Sequence, residues 1–443
     1  MHKIFKLISD NLSVAIIIYI AIQIIILITV PFHYKSDSLY NYNLAKQCLA
    51  SHSLYPMPRD IYQDYIIAPL YINLLIIALS VYNSTFTIGL LNIFLNLLQL
   101  YFVFELSRKI FNDHAARIAV ILYIFYISSI GLILLNLTEL SFGCLVLGSI
   151  YYYLIKSKVS YFIAGLLAAA SIGIRPLGWS LIVIYLSISA YQLFIKRSKK
   201  PLFIIAGLFS FIIAFGSLTY STFGKFIFTS NNGPINILIG ANRNATGAFN
   251  ANVFDKGNSG YIDSPETKTF NFKENYWKNQ AENWIIKHPI KWISLFPIKI
   301  IYMFAWDDFS VSHLFDYGKW NLFLVLKTIF INRDFSNILS GMPFYEKIIY
   351  ILVQILHHLY YFSLLIIFLF LLSGKNKSIF FREGILIFLG FIFLCLMMNL
   401  ATYGDARYKY PYIILIIIMI SEFVYKFVII ENINNNSTVK KND

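Results

Sequence analysis

The chain has 443 residues, of which 58% are hydrophobic, 18% aromatic and only 13% charged, with mean hydropathy +0.66 and formal net charge +14. This excludes a soluble globular domain, whose composition is far less apolar. It also excludes a nucleic-acid partner: no basic stripe is interleaved with exposed aromatics, and many cations stand at the ends of apolar runs, a pattern of membrane topology with anionic lipid headgroups as partners.

The apolar runs, in order, are 12–31, 66–82, 86–107, 115–135, 138–156, 160–174, 177–195, 201–222, 345–372, 381–402 and 409–430. A bilayer asks for about 20 such residues per helix. The first run follows Lys3 and Lys6 and leads into Pro31-Phe32-His33-Tyr34 without a small-residue cleavage site, so it is expected to be an anchor helix with a cytoplasmic N-terminus. If 66–82 also crossed, the clusters Arg108-Lys109, Lys156/Lys158, Lys196–Lys200 and Lys375/Lys377/Arg382 would all lie outside, against the positive-inside bias. Placing 66–82 as a helix in the outer interface, with Pro69 in its first turn, returns every cluster to the cytoplasm. Both termini, including Lys440-Lys441, then lie inside.

The expected fold is an all-α polytopic membrane protein with about ten spans, interfacial helices and large extracytoplasmic loops. Its modules are 1–222, with a first outer loop 32–85; an outer region 223–344; helices within 345–430; and a tail, 431–443. In the outer region Trp277, Ala281, Trp284 and Ile285 share one helical face, closed by Pro289. The run Trp292 to Trp306, interrupted by Pro297 and Lys299, reads as interfacial or re-entrant. Three scattered cysteines, Cys48, Cys144 and Cys395, make neither a disulfide framework nor a metal site.

Several ionisable residues break this pattern, and the topology puts them on one outer face. Glu139 opens an apolar helix after Asn136-Leu137-Thr138, Asp37 follows the first run by six residues, and Arg175-Pro176 and Gly404-Asp405-Ala406-Arg407-Tyr408 fill short turns. Charges at a membrane-embedded position are expensive and usually functional. Either acid could instead serve only the N-terminal dipole of the helix it begins, and either arginine could snorkel. Asp307-Asp308 reads as a solvated turn. His357-His358, one residue apart, cannot share a helix face, so at least one is structural and a metal site there is not expected.

Taken in order, Asp37-Ser-Leu-Tyr40 with Ala45, Pro69-Leu70-Tyr71, Glu139 after a short outer turn, Arg175-Pro176, the stretch Trp284 to Pro289 before Lys291-Trp292, and Arg407-Tyr408-Lys409-Tyr410-Pro411 resemble a known family. They are similar to the C-type-fold membrane glycosyltransferases that use polyprenyl-phosphate sugars, particularly protein O-mannosyltransferases and lipid A aminoarabinose transferases. The chain departs from the family in having Ile66-Ile67-Ala68 before Pro69, where His or Lys is common, and Glu139 where Asp is common.

The resemblance implies a polyprenyl or dolichyl monophosphate sugar as donor and a glycan, lipid or protein acceptor on the outer face. It implies Asp37 as general base. Glu139 would position the acceptor, act with Asp37, or share with it a divalent cation, Mg or Mn; no cofactor beyond that candidate is implied. Arg175 and Arg407 would grip the donor phosphate through their guanidinium forks; Lys409, Arg59 and Arg243 are further cationic candidates, and Tyr40 and Tyr71 further substrate contacts. The composition suggests a bacterial inner membrane. Two other classes stand beside this one: a polymerase or ligase using a lipid diphosphate, and a lipid-sugar flippase or transporter. A transporter usually carries its charges near mid-membrane on broken helices and often has internal repeats; neither is seen here.

Overall fold

A computed structural model describes residues 11–32, 34–315, 322–331, 342–373, 380 and 382–426. The tail 431–443, Lys3, Lys6, His33 and Lys375/Lys377 lie outside the described residues.

Helix α1, Leu12–Thr29, is apolar all round and leaves Ile17, Ile18, Ile25 and Ile28 exposed, as a lipid-facing helix does. The chain then turns into α2, Ser36–Ala50, a short 3₁₀ turn Pro58–Tyr62, and α3, Pro69–Val81. Pro69 occupies the first turn of α3, where its missing N–H has no intrahelical role. At 13 residues α3 is too short to cross; it buries Tyr71, Ile72, Leu75, Ile76 and Leu79 and leaves Val81 exposed.

Helix α4, Thr85–Ile110, starts with the Ser84 hydroxyl accepting from the Phe86 amide and ends with Arg108 and Lys109 in its last turn, matching the helix dipole at that end. The predicted span 115–135 is broken: α5, Asp113–Ile124, meets α6, Ile127–Gly131, and its 3₁₀ continuation to Leu134 at 59°. The break makes room for residues 307–310. The Ser310 hydroxyl donates to the Ser128 carbonyl at 2.9 Å, and a Cβ on Gly131 would lie 2.4 Å from the Ser310 carbonyl oxygen.

Next come α7, Glu139–Ile155, α8, Lys158–Ile174, α9, Trp179–Phe194, and α10, Leu202–Phe223. The outer region forms α11, Gly233–Gly240, α12, Phe270–Lys287, α13, Pro289–Ser294, and α14, Phe296–Phe304. Trp277 and Ala281 are buried on α12 as their spacing predicts, and Pro289 ends α12 by opening α13. After α15, Leu322–Phe330, follow α16, Phe344–Ser373, α17, Glu383–Ala401, and α18, Tyr410–Tyr425.

Among the described residues, seven helices are long and apolar enough to cross a membrane, eight if the bent α5–α6 pair is one span. The two further spans expected, 138–156 and 160–174, are the apolar helices α7 and α8, each of 17 residues. The 20-residue span ending in α18 is the most enclosed, with 89% of its apolar window buried.

The bundle core is polar as well as apolar. Tyr19 of α1 donates to Asn96 Oδ1 of α4 at 3.1 Å, and Tyr123 of α5 reaches the same atom at 2.8 Å. Tyr410 of α18 donates to Gln99 of α4 at 3.1 Å. Such paired groups fix helix register where no water is available to satisfy them.

Charges separate along the bundle. At one end, Lys156 pairs with Glu383 at 2.7 Å, Arg108 with Glu105 at 2.7 Å, and Asn112 donates to Glu422 at 3.2 Å. Glu139, Arg175 and Arg407 stand at the opposite ends of α7, α8 and α18.

Candidate active site

Asp37 is the second residue of α2, in the first turn, and its side chain is 46% exposed. Arg407 comes to it from the turn before α18. There, the Asp405 carboxylate accepts from the Arg407 amide at 2.8 Å and caps a 3₁₀ turn, Ala406–Lys409. This local cap aims the guanidinium outward, with Nη2 at 2.8 Å from Asp37 Oδ2 and Nε at 3.6 Å from Asp405 Oδ1. Glu139 also lies close enough for its charge to act on Arg407.

The second pair lies deeper. Glu139, first residue of α7, is 1% exposed and holds Arg175 Nη1 at 3.1 Å through Oε1, while Oε2 has no hydrogen-bond partner among the described residues. Arg175 follows the last turn of α8, and its guanidinium carbon stands 5.5 Å from the centre of the Tyr408 ring. Tyr408 neighbours Arg407, so the two ion pairs share one turn of chain.

Asn136 sets α2 against α7, a role the sequence does not announce. Its amide donates to the Ser38 hydroxyl at 2.7 Å, its carbonyl accepts from Asn41 at 3.0 Å, and its side-chain oxygen accepts from the Tyr71 hydroxyl at 2.8 Å. Tyr71 is therefore buried scaffold beside the acids.

The remaining predicted residues are dispersed. Tyr40 donates to Gln63 at 2.7 Å on the outer flank of α2, Arg59 donates to Gln47 at 3.2 Å, and Arg243 is exposed in the loop after α11. Lys409 is fully buried, 3.0 Å from Asp307 Oδ1, and donates to the Trp306 carbonyl.

Asp307 and Asp308 are not a solvated turn, since both are buried. Asp307 Oδ2 meets His357 Nε2 and the Ser128 hydroxyl, each at 3.0 Å. Burial alone would raise the Asp307 carboxyl, but Lys409 and His357 outweigh it and hold the group at about 2. His357 and His358 are both engaged: His358 accepts from the Asp307 amide at 3.3 Å. The two side chains leave their helix one residue apart, and Asp307 reaches both, its carboxylate meeting His357 and its amide meeting His358.

Lys299 of α14 is buried against carbonyls, donating to Leu400 at 2.8 Å and Gly240 at 3.3 Å; burial pushes its amine down to about 8.

Among the described residues no group of three or more His, Cys, Asp or Glu side chains is placed to hold a metal ion. The two carboxylates expected to share a divalent cation are each held by an arginine instead, so this arrangement does not fit one.

No protein-family model matches the chain, and no curated protein matches it. Among solved structures it is similar to the oligosaccharyltransferase of Archaeoglobus fulgidus in its apo form, with TM-score 0.51 and 12% identity over 96% of this chain and 52% of that one. The same enzyme tethered to an acceptor peptide containing the NVT sequon aligns with TM-score 0.44 and 12% identity over 93% and 49% of the two chains. The first likeness is one of fold: the chain has the C-type glycosyltransferase membrane fold. It spans about half the length of the oligosaccharyltransferase.

Proposed function

We propose that this protein is a membrane glycosyltransferase that moves a sugar from a polyprenyl or dolichyl monophosphate donor to an acceptor on the extracytoplasmic face, with Asp37 as general base. The observation that carries this reading is the Asp37–Arg407 pair: a carboxylate half open to solvent lies 2.8 Å from a guanidinium, with a buried Glu139–Arg175 pair behind it.

An acceptor hydroxyl gives its proton to Asp37 as its oxygen attacks the anomeric carbon. The bond from that carbon to the phosphate oxygen breaks, and the electron pair leaves with the lipid phosphate. Arg407 and Arg175 offset the charge that grows there. Lys409 takes no part at the phosphate, because Asp307 holds it in the interior. Glu139 Oε2, buried and without a hydrogen-bond partner among the described residues, is suited to accept a hydrogen bond from an incoming hydroxyl.

The test is transfer of labelled sugar from a panel of polyprenyl monophosphate and diphosphate sugars to extracted membrane and protein acceptors, comparing purified wild type with Asp37→Asn. Monophosphate-dependent transfer that falls by about 10²–10⁴ in the variant is expected, the usual worth of a general base. Transfer only from diphosphates would assign a polymerase or ligase. Folded protein inert with every donor would favour a carrier.

A further inference from the structure

An open cavity of about 430 Å³ lies on the outer flank of α2, lined by Tyr40 of α2, by Tyr62, Gln63, Asp64 and Tyr65 of the following segment, and by Glu266 from the loop before α12. That volume falls within the roughly 300–1,000 Å³ usual for small-molecule sites. Tyr40 stands one turn along α2 from Asp37, and the charges of Asp37 and Asp64 both act on Tyr65. The cavity therefore adjoins the carboxylate assigned above as base.

Its lining accepts hydrogen bonds more readily than it donates them. Asp64 and Glu266 offer carboxylates, both on exposed residues. The Tyr40 hydroxyl is already given to Gln63 Oε1 at 2.7 Å, and Gln63 Nε2 to Asp60 Oδ1 at 2.9 Å. Lys273, the lining cation, is buried with its ammonium on Asp64 at 2.8 Å and the Tyr62 carbonyl at 2.9 Å. Three phenol rings supply electron-rich faces. A ligand with many hydroxyl donors and weakly positive C–H faces complements this surface, because aromatic faces carry the negative part of the ring quadrupole. An anionic ligand would meet two carboxylates and a cation already engaged. A peptide would find few donors for its carbonyls beyond the Tyr62 and Tyr65 hydroxyls, and a lipid tail would have to lie against two carboxylates.

We propose that this cavity is the acceptor subsite and that the acceptor is a neutral, polyhydroxylated glycan, an inference that rests on Asp37 being the base. The test is direct binding to the purified full chain in detergent, without donor, by saturation-transfer NMR and calorimetry. The probes are neutral short oligosaccharides, the same sugars carrying a phosphate, and a Ser/Thr-containing peptide. A neutral oligosaccharide is expected to bind, with Kd raised about tenfold in Tyr62→Ala and in Glu266→Gln and unchanged in Asp255→Asn, an exposed acid outside the cavity. The phosphorylated sugar should bind more weakly than the neutral one and recover in Glu266→Gln. The glycan site is overturned if no neutral oligosaccharide binds, if neither cavity variant changes its Kd, or if the phosphorylated sugar or the peptide binds more tightly. Glycan binding with the expected variant pattern, but no sugar transfer from any lipid donor, would instead overturn the acceptor role together with the transferase reading and leave a glycan-binding site.

Discussion

Asp37 Oδ2 and Arg407 Nη2 lie 2.8 Å apart although 370 residues of chain separate them. The arginine that holds this carboxylate is also the cation proposed to meet the donor phosphate. Both groups therefore report on donor binding. Arg407→Ala should lower kcat/KM by about 10- to 100-fold, mostly through the KM for donor, as expected for the loss of hydrogen bonds to a charged group. Arg407→Lys should recover only part of this, because the fork is lost. Steady-state kinetics with varied donor is the check, and an unaltered donor KM would reduce Arg407 to a structural partner of Asp37.

The Glu139–Arg175 pair makes a different prediction, because its carboxylate is buried. Arg175→Ala leaves that charge without its cation and should destabilise the fold by about 3–5 kcal/mol. Glu139→Gln keeps the shape and a hydrogen-bond acceptor, so its cost should be clearly smaller. Thermal unfolding in detergent ranks the two. Equal melting temperatures for wild type and Arg175→Ala would mean that the pair is not holding the helices together.

Topology is open to cysteine labelling, since Cys48, Cys144 and Cys395 are all buried and the native background should be silent. Asp263→Cys, in the exposed loop before α12, is expected to react with a membrane-impermeant maleimide on intact cells or spheroplasts. Lys199→Cys, between α9 and α10, should react only after permeabilisation. The reverse pattern would put the Asp37 end of the bundle in the cytoplasm.

Lys299 gives a pH dependence with a definite sign. Its amine falls from an ordinary 10.5 to about 8 in the folded protein, so between these pH values the unfolded chain binds the extra proton. Stability should then rise with pH across 8 to 10.5, by at most about 3 kcal/mol from this group. Comparing the pH slope of the melting temperature in wild type and Lys299→Met isolates the effect; identical slopes would show that the buried amine keeps its ordinary affinity for protons.

What the sequence reveals follows the range of the physics involved. Pro69 in the first turn of α3, the buried face of α12 and the acids that open α2 and α7 are local features, and each is legible from a few neighbouring letters. The partners of those acids are legible only as candidates, because nothing local says which arginine meets which carboxylate. Lys409 illustrates the limit. Beside Arg407 in sequence it looks like a second phosphate ligand, yet it faces inward to Asp307, a residue whose own burial depends on the break between α5 and α6. Asn136 escapes notice for the same reason: its partners come from α2 and α3.

Backbone meets backbone around the turn that carries Arg407. A Cβ on Gly240 would sit 1.7 Å from the Thr402 carbonyl oxygen, one on Gly404 would sit 2.2 Å from the Lys299 carbonyl oxygen, and the Gly404 amide donates to the Gly247 carbonyl at 2.8 Å. A turn fastened this way depends on a few absent side chains rather than on the identity of those present. Mutation can rewrite most of the surrounding letters and leave the arginine aimed where it was, which is how an architecture can outlast nearly all resemblance in spelling.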